Sequence, residues 1–588
     1  MILAKPNFFN GCALLISALR GVNIVLIDAP PRDKMEKLSR AGGGMISRLL
    51  MQFENVSRAS ALDRRLAVAT WYFDSLLLAD LYGLLENWQD CHYRFESVDK
   101  DLPEYALCFR AMISSLRYQR HFDIYSRLCI SEHYPGVAVT LVGFDSDTAA
   151  ATHFLLNKSE SVSGRRGSWI NQLCNAAIAV GCGVFGVVKL LRFISFRKIQ
   201  EEETFLVADY IGDSADTRIY DCATEFGPVA LVARSRQIIF DDATAPAHLR
   251  RYQRSDGAIS WREFPSIVVE LIQDIGSIFR ALRWMSAREF FYAVDLPRRK
   301  LAARALISVL RPKAFFARDA YNYDHILRHG ELKKIGGRQY SINVGYPAYT
   351  IIFPTSRYLS FDTYFGYGCE LYRKHYFDRW PESMTLVSSG LFRPTNAQFE
   401  GSKQGAENGD IAVFSGVMIP EPEMAVFVRA LATALPERNI LLQLKPVYAR
   451  SDIGQKFLTD CTRGLSNVRQ VTDTVYEILE RVEYSFTDPS SIVVEAMSMG
   501  VNSFLVDICP WHRTCFYRDY PEVVVHSGVQ AAEKVRLIES GALSYPWDGM
   551  KGVADLSGHY FVDRFKEVLR SDFPYNPQQS KFLQPPAP

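Results

Sequence analysis

Three short stretches in the last third of the chain have the residue types needed to hold an anion: Ser415-Gly416, Lys445-Pro446 and Asp488-Pro489-Ser490-Ser491. The third is the most developed. Thr487-Asp488-Pro489-Ser490-Ser491 reads as a turn that opens a helix, because Asp and Ser are good N-caps and Pro suits a first helical turn. Ile492, Val493, Ala496 and Met499 then recur at helical spacing, and Gly500 ends the helix. The free N–H groups of such a helix start attract phosphate. The plainer reading is that Ser490 and Ser491 only cap the helix. Lys445 closes an apolar strand, where a buried ammonium requires an anion; its plainer reading is a lysine that snorkels at a domain edge. A close backbone approach, a cation and a helix start together match a phosphate ester or diphosphate.

Those stretches need a sheet edge to bring them together. Before each one lies a short apolar run that reads as a strand: Ile411–Phe414, Ile440–Leu444 and Tyr484–Phe486. Helical stretches Glu421–Leu435, Ser451–Arg463 and Thr474–Arg481 alternate with them. An earlier alternating run has strands expected at Thr204–Asp209, Val229–Arg234, Gln237–Phe240, Lys313–Ala317, Gln339–Val344, Tyr358–Phe361 and Met384–Val387. Its helices are expected at Ser266–Arg283, Asn322–Leu332 and Cys369–Trp380. Strands that alternate with helices form parallel sheets covered on both faces, and ligands bind at the C-terminal ends of their strands. A polar, Gly-rich stretch at 394–410 reads as a linker, which sets a first domain at 201–393 against a second at 411–573.

The residues from about Glu202 to Phe573 resemble the GT-B glycosyltransferases, in particular bacterial enzymes of surface and capsular polysaccharide synthesis, including the sialyl- and Kdo-transferase-like groups. Leu444-Lys445-Pro446 stands where those families carry a Lys-Pro-His-Pro-like turn, and Ser490-Ser491 with Glu495-Ala496 and Gly500 matches their Ser-Ser…Glu-Ala…Gly helix. Arg318–His325 and Phe361–Gly368 are further stretches of likeness. The resemblance implies an α/β fold of two Rossmann-like parallel-sheet domains facing a cleft. It implies Ser415, Gly416, Lys445, Ser490 and Ser491 at the nucleotide phosphate and Glu495 at the ribose, with no metal or other cofactor. An acceptor hydroxyl needs a base. The candidates are Asp319 at a strand end, with Asp213 and Asp362 as alternatives; a helix cap or a pair with Arg318 is the plainer reading of Asp319. Tyr364 and Tyr367 are candidate sugar platforms or ordinary core aromatics. The chain departs from the pattern at Val447-Tyr448, where the family has His-Pro. The activity implied is sugar transfer from a nucleotide-sugar to a surface polysaccharide or lipid-linked glycan; the alternatives are a nucleotide-sugar epimerase of similar fold or a non-catalytic glycan- or nucleotide-binding homologue.

The whole chain fits this frame. Its 588 residues exceed one core and suggest three or four domain-sized units. The net charge of +2 does not indicate a nucleic-acid binder. The eleven cysteines include no Cys-x-x-Cys pair and read as reduced, buried residues of a cytoplasmic protein. Cys509, His512 and Cys515 provide three metal-type ligands without a fourth. Met1–Pro6 lacks the layout of a signal peptide. Residues 1–165 read as an accessory α/β region with strands at Val22–Asp28 and Val137–Phe144 and helices at Leu66–Trp88 and Tyr105–Cys129. Residues 166–200 hold the uncharged run Ala176–Val188 between basic flanks. Thirteen residues fall short of the about 20 that span a bilayer, so the run is expected either to dip into the inner leaflet or to form a core helix. The Pro/Gln-rich residues 574–588 read as a disordered tail.

Overall fold

The computed structural model describes residues 1–5, 10–26, 43–62, 95–118, 121–142, 151, 156, 169–196, 203–212, 217–233, 237–245, 248–283, 285–318, 323–343, 357–375, 379–402, 409–415, 419, 421–488, 490–508 and 519–574. The chain forms two compact units. One comprises Met1–Val188, Val268–Pro297 and Ile352–Thr355; the other comprises Lys189–Ile267, Arg298–Ile351 and Ser356–Pro588. This differs from the division expected along the sequence, because Val268–Pro297 leaves the first α/β run and joins the N-terminal unit.

In the N-terminal unit, β1 (Ile2–Ala4), β2 (Ile24–Leu26), β3 (Val56–Arg58) and β4 (Thr140–Val142) make a parallel sheet in the order β3-β2-β1-β4. Ala4, Leu14, Ile24, Leu26 and Leu50 form its core. The helix expected at Leu66–Trp88 lies outside the described residues. The helix expected at Tyr105–Cys129 is two helices, α1 (Pro103–Tyr118) and a second at His121–His133. Tyr105 on α1 donates to Asp274 Oδ2 at 2.5 Å. Buried beside that carboxylate, its hydroxyl is held far above the usual tyrosine range, first by desolvation and then by Asp274.

The uncharged run belongs to α2 (Trp169–Leu190), whose 22 residues extend well beyond the expected thirteen. It runs antiparallel to the Val268–Ala281 part of α3 (Phe264–Ala281), as shown by Asn175 Nδ2 donating to Met285 O at 2.9 Å and by Gly186 facing Leu271. A Cβ on Gly186 would stand 3.0 Å from Leu271 Cδ2, so glycine is what lets the two helices approach. The expectation of a core helix fails. Trp169, Leu173, Val180, Val184, Phe185 and Val188 are all exposed, and Gln172–Phe193, long and apolar enough to cross a membrane by length and composition, is only 28% buried in its most apolar window.

Among the described residues, the second unit holds two large parallel sheets and a short parallel pair, Ile194–Ser195 with Ile259–Ser260. In its first domain, β5 (Leu206–Tyr210), β6 (Val229–Ala233), β7 (Arg250–Gln253), β8 (Ala314–Ala317), β9 (Arg338–Ile342), β10 (Thr363–Gly366) and β11 (Thr385–Ser388) lie in the order β11-β10-β9-β8-β5-β6-β7. In its second domain, β12 (Asp410–Ser415), β13 (Ile440–Leu444), β14 (Val468–Gln470), β15 (Val482–Thr487), β16 (Asn502–Val506) and β17 (Val524–Val525) lie in the order β14-β13-β12-β15-β16-β17. Counted along the chain, both sheets have the Rossmann order 3-2-1-4-5-6, and the first adds one more strand. Their central strands are apolar and buried on both faces, as parallel pairing under two helical layers demands.

Two strands differ from expectation. Gln237–Phe240 is not a strand; Phe240 instead stacks on Tyr210 at 4.7 Å, and Arg250–Gln253 is third. Tyr358–Phe361 is not a strand either, and β10 begins after Asp362. Between β7 and β8 the described helices include α4 (Leu296–Leu310), and α5 (Asp324–Lys334) follows β8. The expected linker holds a helix, α6 (Asn396–Ser402). Thr395 and Gln398 bond each other's backbone N–H groups as a capping box, and Phe399 is buried in the second domain's core. In the second domain α7 (Val475–Leu479) precedes β15 and α8 (Ile492–Ser498) follows it.

The last helix, α9 (Phe561–Asp572), crosses back onto the first domain. Phe561, Phe565 and Leu569 enter the core formed by Phe316, Tyr340 and Phe365. Phe565 meets Phe316 at 5.3 Å and Phe365 at 5.8 Å, both edge-on. Asp572 accepts from Arg338 at 2.8 Å and from the Tyr340 hydroxyl at 2.7 Å. Phe565→Ala should therefore lower the unfolding free energy by about 3–5 kcal/mol, read from the denaturant midpoint, because it empties a fully enclosed ring site; a loss below about 1 kcal/mol would mean that α9 is not a core element.

Candidate functional site

The three anion-type stretches leave one edge of the second sheet side by side. Strand β12 lies between β13 and β15, with Ser415 paired to Leu444 and Phe414 to Thr487. The Lys445 N–H donates to Ser415 O at 3.4 Å and the Asp488 N–H to Phe414 O at 3.2 Å. Strand order reverses between β12 and β15, so these residues flank the switch point where a parallel sheet opens a crevice. Ser415 is 5% exposed and Asp488 1%, whereas Ser490 and Ser491 are half-buried. Gly416 and Pro489 lie outside the described residues.

The two serines differ in role. Ser490 Oγ accepts from the Ile492 N–H at 3.1 Å, so its hydroxyl caps the turn. Ser491 is the N-cap residue of α8, and its side chain makes no capping bond. Lys445 is exposed, which corrects the expectation of a buried ammonium: no desolvation cost obliges it to hold an anion. It starts the single helical turn Pro446–Ala449, where its carbonyl accepts from Tyr448 and Ala449 at 2.9 Å. Tyr448 is half-buried and packs 6.3 Å from Phe457, so the residue that departs from His-Pro serves packing.

Glu495 lies one turn into α8 and is 3% exposed. Its Oε2 accepts from the Tyr476 hydroxyl at 2.5 Å. Desolvation, then Glu495, pushes that hydroxyl well above the usual tyrosine range, and Tyr367 adds to the rise. Tyr367 follows β10 of the first domain and Tyr476 lies beyond the C-terminal end of β14. Tyr367 is part of the second domain's core cluster and Tyr476 packs against the same cluster, so the C-terminal ends of β10 and β14 lie near each other. Gly368 confirms the approach: a Cβ there would stand 2.3 Å from the carbonyls of Gly552 and Val553. The sugar-platform reading of the tyrosines is corrected. Tyr367 is 2% exposed and Tyr364 3%, the latter packed against Phe361, Tyr372 and Trp380, so both are core aromatics.

Of the expected bases, Asp213 and Asp319 lie outside the described residues. Strand β8 ends at Ala317, and Arg318 beyond it is 1% exposed with its guanidinium 4.9 Å from the Phe392 ring centre. Asp362 is corrected. Because β10 starts at Thr363, Asp362 sits at the N-terminal end of that strand, on the edge opposite the site. It accepts from His329 Nε2 at 2.9 Å and from the Gln339 N–H at 2.7 Å, while His329 Nδ1 meets Ser360 Oγ at 2.7 Å. That is a fastening between α5, β9 and β10. His325 is fully buried and stacks on Phe361 at 4.6 Å.

Sequence reasoning missed a charged cavity at the C-terminal ends of β5 and β6 in the first domain. It measures about 270 Å³ and includes Asp209, Arg254, Arg298, Arg299, Asp324 and Arg328 in its lining. Its signals were visible in hindsight: an aspartate inside the apolar strand Leu206–Tyr210, and the run Arg298-Arg299-Lys300 at a helix start marked by Pro297. The described cysteines are free thiols. Burial pushes Cys222 and Cys461 up to about 12 and Cys369 up to about 11, which makes them inert. Among the described residues no cluster of three or more His, Cys, Asp or Glu could hold a metal; Cys509, His512 and Cys515 lie outside them.

No protein-family model matches the sequence, and no curated protein matches it. Among solved structures, similarity is found to the UDP-GlcNAc 2-epimerase of Neisseria meningitidis bound to UDP-GlcNAc (9% identity, 64% of this chain and 100% of the other, TM-score 0.41). It is found also to the wall teichoic acid polymerase TagF (10% identity, 70% and 100%, TM-score 0.36) and to a UDP-glucosyltransferase from Polygonum tinctorium (11% identity, 64% and 99%, TM-score 0.38).

The Asp362 fastening has a pH signature. Desolvation raises the carboxyl, but the bonds from His329 and Gln339 outweigh it and hold it below its ordinary value. A depressed folded-state value means stability that is complete above about pH 4 and is lost as pH falls through the lower folded value. Asp362→Asn should therefore cost roughly 1–3 kcal/mol at pH 7 and progressively less in acid, measured by urea midpoints against pH; a cost that does not change with pH would contradict the assignment.

Proposed function

We propose that this chain is a glycosyltransferase that moves a sugar from a nucleotide-sugar onto a surface polysaccharide or lipid-linked glycan, without a metal or other cofactor. The observation that carries the reading is the meeting of two C-terminal sheet edges, one of which presents Ser415, Lys445 and Ser490–Ser491 around a switch point. Nucleotide phosphates bind at such edges. In this reading Lys445, exposed at the surface, folds onto the diphosphate, and the Ser491 hydroxyl and the N–H groups beside it donate to it. Ser490 keeps the turn in shape. Glu495, held by Tyr476, borders the ribose. The base that takes the acceptor proton comes from the first domain, with Asp319 ahead of Asp213.

The test is a thermal-shift screen against CMP, UDP, GDP, dTDP and CDP, followed by calorimetry with the best nucleotide. Lys445→Ala should weaken it roughly 10- to 100-fold, as expected for one charge-assisted contact, and Ser491→Ala should weaken it less. Unchanged affinity in both would remove the phosphate site. Asp319→Asn should leave nucleotide binding intact and abolish transfer; normal turnover would remove Asp319 as the base.

The same reading places the protein in the cytoplasm, at the inner face of a membrane. Support comes from α2, whose exposed apolar side chains lie between Lys189 and Arg192 at one end and Arg280 and Arg283, near its other end through the antiparallel α3. Exposed apolar surface between basic ends suits an anionic leaflet. Val180→Asp with Val184→Asp should reduce co-sedimentation with anionic vesicles at least about tenfold, since two buried valines contribute on the order of 3 kcal/mol; sedimentation equal to that of the parent chain would exclude α2 as the contact.

A further inference from the structure

Between α2 and α3 runs an apolar groove of about 600 Å³, inside the range of about 300–1,000 Å³ that holds whole ligands. Every residue that lines it is apolar, and all belong to the N-terminal unit. On α2 the lining runs from Ala176 to Val188 in steps of one, three and four residues, one face of the helix and about 18 Å long at a rise of about 1.5 Å per residue. On α3 it is Ile272, Ile275, Gly276 and Phe279. The helices are fastened beyond one end of the groove, where Asn175 bonds Met285 O, and near the other, where Gly186 admits Leu271. Val180, Val184, Val188 and Ile272 are exposed and form its rims; Ala176, Ala179, Gly183 and Gly276 are half-buried and form its floor.

The packing of the two helices does not require the floor glycines. A Cβ on Gly276 would meet nothing within 4 Å, and one on Gly183 would meet only Ile275 Cδ1, at 3.9 Å, an ordinary contact. Glycine inside a helix weakens it, and here its effect is to keep the space open. The shape then selects what fills it. A second helix, about 10 Å across, or the face of a bilayer rests on the rims and leaves the floor without contacts. A single aliphatic chain is thin enough to reach the floor. The groove's length is close to the depth of one leaflet, half of the roughly 30 Å hydrocarbon core. One end of the groove is cationic. Arg280 stands four residues after Gly276 and Arg283 four after Phe279, so the helical repeat sets both on the groove's face, whereas Glu270 and Asp274 fall on the opposite face. Both arginines are exposed, Arg280 donates to the neutral Ser277 Oγ at 3.1 Å, and Asp274 is bonded by Tyr105. A chain in the groove with an anionic head at Arg280 is complementary in both its parts.

We propose that this groove binds one aliphatic chain of a lipid phosphate, and, resting on the glycosyltransferase reading, that this lipid carries the acceptor. Helix α2 then does more than touch a membrane. With α3 it holds the acceptor's chain, and Arg280 and Arg283 face the phosphate.

Calorimetry on the full chain, below micelle-forming concentrations, tests this with farnesyl phosphate and uncharged farnesol as probes. Farnesyl phosphate should bind saturably and farnesol at least about tenfold more weakly. Gly276→Leu, which fills the floor with a helix-favouring side chain, should weaken farnesyl phosphate at least about tenfold, while nucleotide affinity and co-sedimentation with anionic vesicles stay as in the parent chain. Arg280→Gln with Arg283→Gln should bring farnesyl phosphate to the affinity of farnesol. Absence of saturable binding by the parent chain, or unchanged binding in Gly276→Leu, would overturn the site. Loss of vesicle binding in Gly276→Leu would reduce the groove to a membrane contact and defeat the proposal. Unchanged binding in the arginine variant would overturn the placement of the phosphate. Competition by dihexanoyl phosphatidylglycerol, a soluble two-chain lipid, would reject the acceptor's chain in favour of bulk lipid. A dimer of the parent chain that Gly276→Leu abolishes in sedimentation velocity would make the groove an interface between copies and overturn the proposal. If nucleotides fail to bind while farnesyl phosphate binds, the donor reading falls and the lipid site stands; the reverse result removes this site alone.

Discussion

The second unit depends on the burial of α9 in the first domain's core. The last helix of the second domain completes the aromatic layer of Phe316, Phe365 and Tyr340, so the first domain's core is not closed without it. Around that seal the return path is tightly bound. Arg218 bonds the carbonyls of Phe392, Arg393 and Pro394 and the Tyr560 hydroxyl, and Leu391 bridges to Tyr560. The outgoing and the returning crossings are thus tied to one another, and the entry of Tyr367 into the second domain's core cluster and the close passage of Gly368 by Val553 follow from that geometry.

Parallel pairing then determines where chemistry can sit. Each strand of such a sheet must leave at the same edge, so polar loops collect there, while both faces are consumed by helix packing. In the second domain this concentrates Ser415, Lys445, Asp488 and the serine pair within three adjacent strands. In the first domain it concentrates Asp209, Arg254 and the first turn of α4. Both clusters flank a reversal of strand order.

Much of this was legible along the chain. The second domain's expected strands and helices fall within a residue or two of their positions, because alternating apolar runs there are uninterrupted and well capped; the helix Gly528–Glu539 and strand β17 were not expected. Other parts were not legible for definable reasons. The Phe361–Phe365 region is aromatic on both sides of Asp362, so periodicity alone does not show where pairing starts; a shift of that start moved Asp362 from the site edge to the opposite one. Helix α4 is rich in arginine and alanine and lacks a clear apolar stripe, so it went unexpected. The linker helix was readable in principle from Thr395 and Gln398, a capping box hidden in a polar stretch.

The sequence by itself determined which residue types meet at the second domain's edge, because strand-then-turn-then-helix patterning is local and places Ser415, Lys445 and Ser490 at successive strand ends. It also determined that α2 is apolar between basic flanks. Only the tertiary structure decided what each group does there. Ser490 is a cap and Ser491 is not, Lys445 is exposed, Glu495 is bonded to Tyr476, and α2 is a surface helix. Burial and partnership arise from elements distant along the chain. The arginine cavity is the clearest case, since Asp209, Arg254, Arg299 and Arg328 are spread over more than a hundred residues and form one site only when β5, β7, α4 and α5 pack together.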